Sequence, residues 1–466
     1  MENKIKIVII GAGPTGLTAA WELVNSQNQE FEVVVLEASD TVGGMAKTVI
    51  HNGNIMDMGG HRFFSKEKRV LDWWKTFLSE ENKDGQPSLL LTNRATRIYY
   101  KKAFFDYPVT LNLANIKSLG FKDSCQIALD YLKAFIHPQK ENSLEQFYIN
   151  RFGKKLYSMF FEEYTEKLCG VHPREISPKW GEQRVRGLSL EAILRRYKKN
   201  KRSSVQENKL SESQFYYPKY GPGQLWEAVA DEVVERGVQI RINCFVTAIH
   251  QGEDGNIDSI TVQTSCGEEV VNGDIFISTM PMRELILGMN QVSPQITELA
   301  RQIPYRAFVT MGLLVDRLAI KVPDCWIYVQ DERVKVCRIQ FYDNWSPYLS
   351  KDREGKVFLA LEYFCDKDDA FWSMTEEECC KFAVDEAILL GIFDENTKIL
   401  DYHREQIEYA YPGYYGVYEE MGKIRDYLAE IDNLYCVGRN GQHEYWNMDK
   451  CMMSAWEVVK EIKHKG

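Results

Sequence analysis

The first forty residues alternate between apolar runs and a helix-like segment. Ile5 to Ile10 is almost continuously β-branched, which predicts a parallel strand buried on both faces. After a glycine-rich turn, residues 17–26 (LTAAWELVNS) predict a helix, and Phe31 to Leu36 predict a second buried strand. This order predicts a βαβ unit at the start of an α/β fold.

The turn before the helix has the spacing of a dinucleotide-binding fingerprint. It reads GAGPTG from Gly11 to Gly16, and Glu37 closes the second strand 21 residues later. Glycines there allow close backbone approach, the helix N-terminus faces a pyrophosphate, and Glu37 accepts hydrogen bonds from ribose hydroxyls. Because all five parts fall in register, a purely structural glycine turn explains the segment poorly. The charge of Glu37 also argues against the 2′-phosphate of NADP in this pocket.

A second glycine pair, Gly43-Gly44, follows the acid by six residues and lets another loop pass close to a flavin. The whole pattern resembles the flavoproteins of the amine-oxidase-like superfamily, and the resemblance implies FAD. Residues 434–438 predict a short terminal strand before a helix from about Asp449, and residues 274–281 resemble a further strand. In the superfamily both chain ends form one domain. The implied cofactor-binding residues are Gly11, Gly13, Pro14, Thr15, Gly16, Glu37, Ala38, Gly43, Gly44, Met45, Gly59, Gly60, His61, Val246, Gly438, Arg439, Asn447 and Met448.

The middle of the chain predicts two further parts. Residues 111–200 are rich in helix formers, and alternating segments between about Gln302 and Phe364 predict antiparallel strands. We therefore expect an α/β protein with a discontinuous Rossmann-like FAD-binding domain, a helical insert and an antiparallel-sheet substrate domain. The expected boundaries are 1–95, 213–285 and 426–466 for the FAD-binding domain, 96–212 for the insert and 286–425 for the sheet.

Charge and composition restrict the classes of partner that the protein can bind. The 57 basic and 67 acidic side chains give a net charge of −10, which argues against nucleic acid, so local arginines must meet any polyanionic ligand. The basic run from Arg195 to Ser204 predicts a solvated loop, with an anionic-partner site as the alternative. The eleven cysteines lack metal-ligand spacing and indicate reduced, mostly buried thiols. No apolar run reaches the roughly 18 residues of a membrane span, and no signal-peptide cleavage region is visible, so we expect a cytoplasmic protein.

Four segments resemble one family, the flavin-dependent UDP-galactopyranose mutases, and its eukaryotic-type branch in particular. The four segments are MDMGGHRFFS at 56–65, YPKYGPGQLWEAVA at 217–230, CWIYVQDERVKVCRIQFYDNWSPY at 325–348 and GRNGQHEYWNMD at 438–449. In the first segment, His61 takes the place of the family's histidine beside the isoalloxazine ring.

Several tyrosines keep the family's offsets from an arginine. Tyr328 precedes Arg338 by ten residues, whereas Tyr445 follows Arg439 by six and Tyr411 precedes it by 28. Tyr107 matches a tyrosine near the sugar, and Arg184 keeps a basic position. The resemblance thus implies His61, Arg338 and Arg439 as catalytic residues and Tyr107, Arg184, Tyr328, Arg338, Tyr411 and Tyr445 as substrate-binding residues.

The base site departs from the family. A tryptophan and an asparagine hold the uracil there, whereas this chain has Cys169 and Thr165 in the matching stretch. UDP-galactose is therefore the default substrate, and other UDP- or dTDP-pyranoses stay open.

Two arginines and several phenols suit a departing diphosphate, since each charge-assisted hydrogen bond contributes roughly 1.5–3 kcal/mol. The resemblance implies a ring-contraction mutase for cell-surface polysaccharide precursors, in which reduced FAD acts as a nucleophile without net redox change. His61 would support the flavin N5 edge rather than donate a proton. An external reductant, for which NAD(P)H is one candidate, keeps the flavin reduced, and the oligomeric state stays open.

The alternative is an FAD-dependent oxidoreductase of the amine oxidase, desaturase or protoporphyrinogen oxidase type. It explains the fold and the glycines equally well, but it does not explain the tyrosine and arginine offsets. A flavin-holding protein without catalysis is disfavoured, because catalytic-looking groups occur in all four segments. No metal site is expected.

Overall fold

A computed structural model describes residues 4–25, 31–81, 87–107, 119–184, 214–351 and 354–465. The helical segment 190–197 and the basic run 195–204, both singled out in the sequence, lie outside the described residues. The helices in chain order are α1 (Pro14–Val24), α2 (Lys68–Phe77), α3 (Phe121–Ile136), α4 (Leu144–Phe152), α5 (Lys154–Phe160), α6 (Glu162–Cys169), α7 (Lys179–Arg184), α8 (Gly223–Glu235), α9 (Met282–Leu287), α10 (Pro294–Arg301), α11 (Glu376–Leu389), α12 (Met421–Ala429), α13 (Gly438–Gly441) and α14 (Met448–Lys465).

The strands form three larger sheets and two short ribbons. In chain order they are β1 (Ile5–Ile10), β2 (Phe31–Leu36), β3 (Thr48–His51), β4 (Asn54–Asp57), β5 (Leu89–Asn93), β6 (Thr96–Tyr100), β7 (Ala103–Asp106), β8 (Gln214–Pro218), β9 (Gln239–Arg241), β10 (Phe245–Gln251), β11 (Ile257–Thr264), β12 (Gly267–Asn272), β13 (Ile275–Ser278), β14 (Tyr305–Val315), β15 (Trp326–Gln330), β16 (Arg338–Phe341), β17 (Val357–Cys365), β18 (Ile399–Pro412) and β19 (Leu434–Cys436).

A parallel five-stranded sheet in the order β19-β13-β1-β2-β9 carries the chain's first and last strands. Its central strand β1 is apolar except at Lys6, because most of the strand is covered on both faces. Ile7 and Ile9 lie in one core with helices α1, α8 and α14, whereas Val8 and Ile10 pack with the antiparallel strands β10–β12. The first and last strands of the described chain therefore lie in one parallel sheet, which forms the first layer of the fold.

A seven-stranded sheet in the order β18-β14-β17-β16-β15-β6-β7 forms the second layer. Its pairs are antiparallel except β15 with β6. One face packs on helix α11 through residues such as Val309 and Met311, with Ala383 from the helix. On the opposite face, Phe308 and Phe364 share a core with Val8 and Ile10 of the parallel sheet.

Helices α3 to α7 lie between β7 and β8 in the sequence and form a helical layer. Ser143 caps α4 by accepting a hydrogen bond from the Gln146 backbone N–H, and the Asp130 carboxylate accepts one from the Lys155 N–H at the start of α5. The α/β fold with a helical part and an antiparallel sheet is confirmed. Within the expected insert, however, β6 and β7 pair into the seven-stranded sheet, so the domain boundaries stay predictions.

All eleven cysteines are free thiols, and eight of them are buried. Within the described part of the chain, no helix has the length and apolarity needed to cross a bilayer.

Candidate active site

Three separate chain segments meet at the carboxyl ends of β1, β13 and β19. Their closeness depends on glycine: a Cβ on Gly44 would lie 3.1 Å from the Cα of Gly13, and one on Gly438 would lie 2.4 Å from Thr15 Oγ1. Gly43, Gly44 and Gly438 also have positive φ angles of 102°, 53° and 77°. The fingerprint turn, the second glycine pair and the terminal turn therefore form one narrow cradle at the N-terminus of α1.

Glu37 lies at the edge of this cradle, at the end of β2. Its carboxylate accepts hydrogen bonds from the Ala12 N–H (2.7 Å), the Ser39 N–H (3.0 Å) and the Ser39 hydroxyl (2.8 Å). The Glu37 backbone carbonyl accepts from the N–H of Cys244, which places the start of β10 and the buried Val246 beside the same edge.

The structure also locates the other residues that the sequence predicts to bind the cofactor. Pro14 is the first residue of α1, and Gly11 and Gly16 pack so closely that a Cβ on Gly16 would meet the Gly11 carbonyl oxygen at 1.9 Å. Met45 lies in a 3-10 turn spanning Gly44–Ala46, whereas Ala38 is exposed. Asn447 is exposed just before Met448, which begins α14.

A loop that follows β4 lies on the inner face of the seven-stranded sheet. A Cβ on Gly59 would lie 3.8 Å from Phe308 and 3.9 Å from Glu362 Oε1, and one on Gly60 would meet the Gln340 amide at 2.8 Å. This loop brings His61 between the two layers.

Electrostatics make His61 a neutral group. Burial, and then the positive charges of Arg338 and Arg439, lower its pKa to about 4. Its Nδ1 is buried without a hydrogen-bond partner among the described residues. An imidazole of this kind is not a proton donor at neutral pH, but it can support a bound group through one hydrogen bond.

The ten-residue offset of Tyr328 and Arg338 is explained by a hairpin. The two residues lie directly opposite each other on β15 and β16, and the register continues to Glu362 on β17 and Thr310 on β14. Directly opposed residues share one face of a sheet, so these four side chains form a row that points towards the loop of His61.

Arg338 and Glu362 form an ion pair within this row. The Arg338 Nε donates to a Glu362 carboxylate oxygen, and the Gln340 amide donates to the other oxygen at 3.0 Å. Burial opposes the charge of Arg338, but Glu362 and the neighbouring phenols of Tyr411 and Tyr164 raise its pKa well above its usual value. The guanidinium stays charged, and its nitrogens beyond Nε remain to face a ligand.

The second arginine lies beside a pair of stacked tyrosines. Tyr411 and Tyr445 stack with centroids 5.1 Å apart, and the Arg439 guanidinium lies 4.6 Å and 4.3 Å from their rings. Arg439 donates to the carbonyls of Ala410 (2.6 Å) and Trp446 (3.2 Å), while its Nε is buried without a partner among the described residues. The 28- and six-residue offsets seen in the sequence therefore correspond to one cluster.

Tyr107 and Arg184 complete the predicted substrate set in different ways. Tyr107 packs on Tyr328 at 4.9 Å, so it lies beside the cross-strand row. Arg184 ends helix α7, and its side chain is outside the described part of the structure. The residues at the departure from the family, Thr165 and Cys169, are both buried on α6.

Sequence reasoning missed two further arginines and the acid. Arg62 follows His61 directly, and its Cζ lies 5.7 Å from the Trp326 ring, as does the Cζ of Arg94 from the loop after β5. Glu362 could have been suspected, because it is the one acid in the otherwise apolar strand β17. Burial also raises the pKa of Asp57, just before the histidine loop, well above its usual value, so it adds little negative charge.

The cradle fits the pyrophosphate and ribityl parts of FAD. A pyrophosphate needs close backbone approach at a helix N-terminus, which the glycines at 13, 44 and 438 provide, and a ribose needs an acceptor such as Glu37. His61, whose Nδ1 is buried without a hydrogen-bond partner among the described residues, would be available to hold the flavin ring.

A family model described as "Flavin containing amine oxidoreductase" matches residues 14–463. This chain belongs to the flavin-containing amine oxidoreductase family, and FAD is its cofactor. It is therefore an FAD-dependent enzyme of the amine oxidase superfamily.

Curated relatives match over shorter stretches. Coproporphyrinogen III oxidase of Bacillus subtilis is 29% identical over 185 residues, which are 38% of this chain and 38% of that protein. The L-amino-acid oxidase BjussuLAAO-I of Bothrops jararacussu is 31% identical over 142 residues, or 28% of each chain. The aligned stretches thus span well under half of the relatives' length.

Solved structures match over the whole chain. Reduced UDP-galactopyranose mutase has a TM-score of 0.80 and 22% identity, covering 100% of this chain and 95% of that chain. A putative protoporphyrinogen oxidase from Exiguobacterium has a TM-score of 0.74 and 17% identity, with complete coverage of both chains. These likenesses establish the fold.

Proposed function

We propose that this protein is a nucleotide-sugar mutase of the UDP-galactopyranose to UDP-galactofuranose type, serving polysaccharide precursor synthesis. The observation that carries the proposal is the gathering of Tyr328 and Arg338 from one cross-strand row with the Arg439, Tyr411 and Tyr445 stack. All five side chains are half-buried, so each keeps a surface towards the cleft. The likeness to a reduced mutase structure agrees with this proposal.

The charge of the cleft favours an anionic substrate. Arg338, Arg439, Arg62 and Arg94 bring four guanidiniums, and Glu362, which pairs with Arg338, is the acid among the described residues that forms an ion pair with one of them. Such an excess of guanidiniums at low dielectric attracts a diphosphate and repels the ammonium group of an amine. An amine oxidase has no evident use for such a charge.

The reaction breaks and re-forms the bond between C1 of the sugar and the diphosphate, while the ring bond C1–O5 is replaced by C1–O4. No atom or electron is gained or lost. When bound and reduced, FAD supplies the electron-rich centre that C1 needs while the diphosphate is absent.

The protein's own residues hold the leaving group. Arg338 and the Arg439 Nε, which has no partner among the described residues, donate charge-assisted hydrogen bonds to the developing negative charge, and the Tyr328, Tyr411 and Tyr445 hydroxyls add neutral donors. The neutral His61 supports the flavin edge and leaves the local charge to the arginines.

A second candidate is an oxidase of carboxylate-bearing porphyrinogens. The sequence match to coproporphyrinogen III oxidase favours it, and a basic cleft would also attract such a substrate. The candidate gives no role to the Arg439, Tyr411 and Tyr445 stack.

Turnover of the reduced protein separates the two candidates. Dithionite-reduced and air-oxidised protein are incubated with UDP-galactopyranose or UDP-galactofuranose, and the products are separated by anion-exchange chromatography. The mutase proposal predicts interconversion by the reduced protein alone, without oxygen consumption. Oxygen consumption with coproporphyrinogen III or an amine, together with no sugar interconversion, would contradict it.

A further inference from the structure

Two guanidiniums, those of Arg62 and Arg94, lie near each other over the ring of Trp326 without an acidic partner among the described residues. The Cζ atoms of Arg62 and Arg94 each lie 5.7 Å from the Trp326 ring centroid, and that of Arg94 lies 5.2 Å from the Tyr107 ring. Within the ranges that the structure describes, neither side chain forms an ion pair, and the Arg94 Nε is buried without a hydrogen-bond partner. Burial and then the charge of Arg94 lower the pKa of Arg62, as expected for two repelling cations.

Two arginines on strands of the neighbouring sheet have acidic partners. Arg338 has the Glu362 carboxylate, and Arg97, on β6, has Asp324 at 2.6 Å. Each of these arginines therefore has an acid that balances its charge. Among the described residues the pair at Arg62 and Arg94 has none, so both charges are available to an anionic ligand.

The position of the pair identifies the end of the substrate that it faces. Trp326 lies two residues before Tyr328 on the same face of β15, and its partner across the strands is Gln340. If the diphosphate lies between Arg338 and Arg439, the sugar must reach the flavin beside His61. Arg62, the next residue along the chain, then lies on the sugar's side of the diphosphate.

We propose that Arg62 and Arg94 bind a carboxylate on the sugar, so that the preferred substrate is a nucleotide-linked hexuronic acid. The inference rests on the proposed mutase function and adds the class of sugar. Guanidinium forks suit a carboxylate because they donate two parallel hydrogen bonds. A neutral hexose would leave both cations unpaired, and a site that loses such a partner discriminates strongly against the incomplete substrate.

A pair of substrates that differ at one carbon tests this inference. UDP-galacturonic acid carries a C6 carboxylate where UDP-galactose carries a hydroxymethyl group. Affinity is measured by calorimetry on the FAD-loaded, reduced protein, and kcat/KM is measured by chromatography. We expect UDP-galacturonic acid to be favoured by roughly tenfold to a hundredfold in both, the range of one charge-assisted hydrogen bond.

Substitution of Arg62 then tests the residue. In Arg62→Gln, the affinity and kcat/KM for UDP-galacturonic acid should fall close to those for UDP-galactose, so that their ratio approaches one. Arg62→Lys should keep part of the preference because it keeps the charge. Arg236→Gln is the matched control, since Arg236 also lies over a tryptophan ring, 4.5 Å from Trp21, but it is exposed and caps the C-terminus of α8. The control should retain the ratio of the unmodified protein, and the flavin spectrum reports folding in every variant.

The outcomes separate this inference from the proposed function. Interconversion of UDP-galactose with no uronate preference, or a ratio unchanged in Arg62→Gln, would overturn the uronate site and leave the mutase standing. Arg62-dependent binding of UDP-galacturonic acid without interconversion would support the carboxylate site and contradict the mutase. Failure of both sugars to bind or react would overturn both.

Discussion

Substitution of Arg338 has two consequences that can be measured separately. The Arg338 side chain is 14% exposed and that of its partner Glu362 is 0% exposed. Replacing Arg338 by methionine removes a guanidinium from the diphosphate site, and it also leaves a buried carboxylate without its cation. The first loss affects catalysis, whereas the second affects folding.

The two effects have different sizes. If Arg338 donates two charge-assisted hydrogen bonds to the leaving diphosphate, at about 1.5–3 kcal/mol each, its loss lowers kcat/KM by roughly 10²- to 10⁴-fold. Breaking a buried ion pair by removing one partner costs about 3–5 kcal/mol in the free energy of unfolding. In the double variant Arg338→Met/Glu362→Gln, the unpaired charge is gone, and Gln340 keeps a neutral hydrogen-bond partner at this position. The double variant should regain most of the stability and none of the activity.

Urea unfolding followed by tryptophan fluorescence gives the stability, and chromatographic turnover of UDP-galactopyranose by the reduced protein gives kcat/KM. The flavin spectrum shows that the cofactor is bound. If Arg338→Met retained kcat/KM within about fivefold, its role in holding the diphosphate would be wrong. If the double variant regained activity along with stability, Arg338 would serve the fold alone.

Three further substitutions test other parts of the account. Gly13→Leu should give folded but colourless protein, because a Cβ there meets Gly44 at an ordinary 3.7 Å while the longer side chain blocks the flavin. The control Gly422→Leu, whose side chain would extend into open space, should stay yellow. A yellow Gly13→Leu protein would contradict the assignment of the glycine cradle to the flavin. His61→Ala should slow flavin reduction or sugar turnover without changing the urea midpoint. A lower midpoint with unchanged rates would show that His61 supports the fold and not the flavin. Burial lowers the pKa of His443 to about 4 from an unfolded value near 6.5, so below pH 6.5 the unfolded chain binds a proton that the folded protein does not, and the free energy of unfolding falls by about 2–3 kcal/mol between pH 7.5 and 4.5. His443→Asn should remove that part of the acid sensitivity in urea titrations, and an unchanged pH profile would contradict the assignment.

The sequence predicted what depends on local patterns. Five of the six residues from Ile5 to Ile10 are apolar because they alternate between two cores, which an almost continuous apolar run reveals. The glycine turn and Glu37 act within one βαβ unit, so their spacing is visible in one stretch of chain. The ten-residue offset between Tyr328 and Arg338 was also informative, because residues on the two arms of a hairpin pair directly across the strands.

Contacts between distant segments could not be predicted in the same way. Strands β6 and β7 read as part of the insert, because nothing local indicates that β6 pairs in parallel with β15 far along the chain. Arg62 and Arg94 become neighbours through Trp326, which lies more than 200 residues away from both. Glu362 could have been recognised from the sequence, because a single acid in a buried apolar strand requires a cationic partner.

Cleavage of the sugar–diphosphate bond without net redox change is the central claim, and positional isotope exchange measures it directly. UDP-galactopyranose carrying ¹⁸O in the bridge between C1 and the β-phosphorus is incubated with the reduced protein, and the phosphorus signals are followed by NMR. The account predicts that the label moves from the bridging to the non-bridging positions, faster than any oxidation of the flavin, and that Arg338→Met slows this exchange. A label that stays in the bridge while the reduced protein binds the nucleotide sugar would contradict the account.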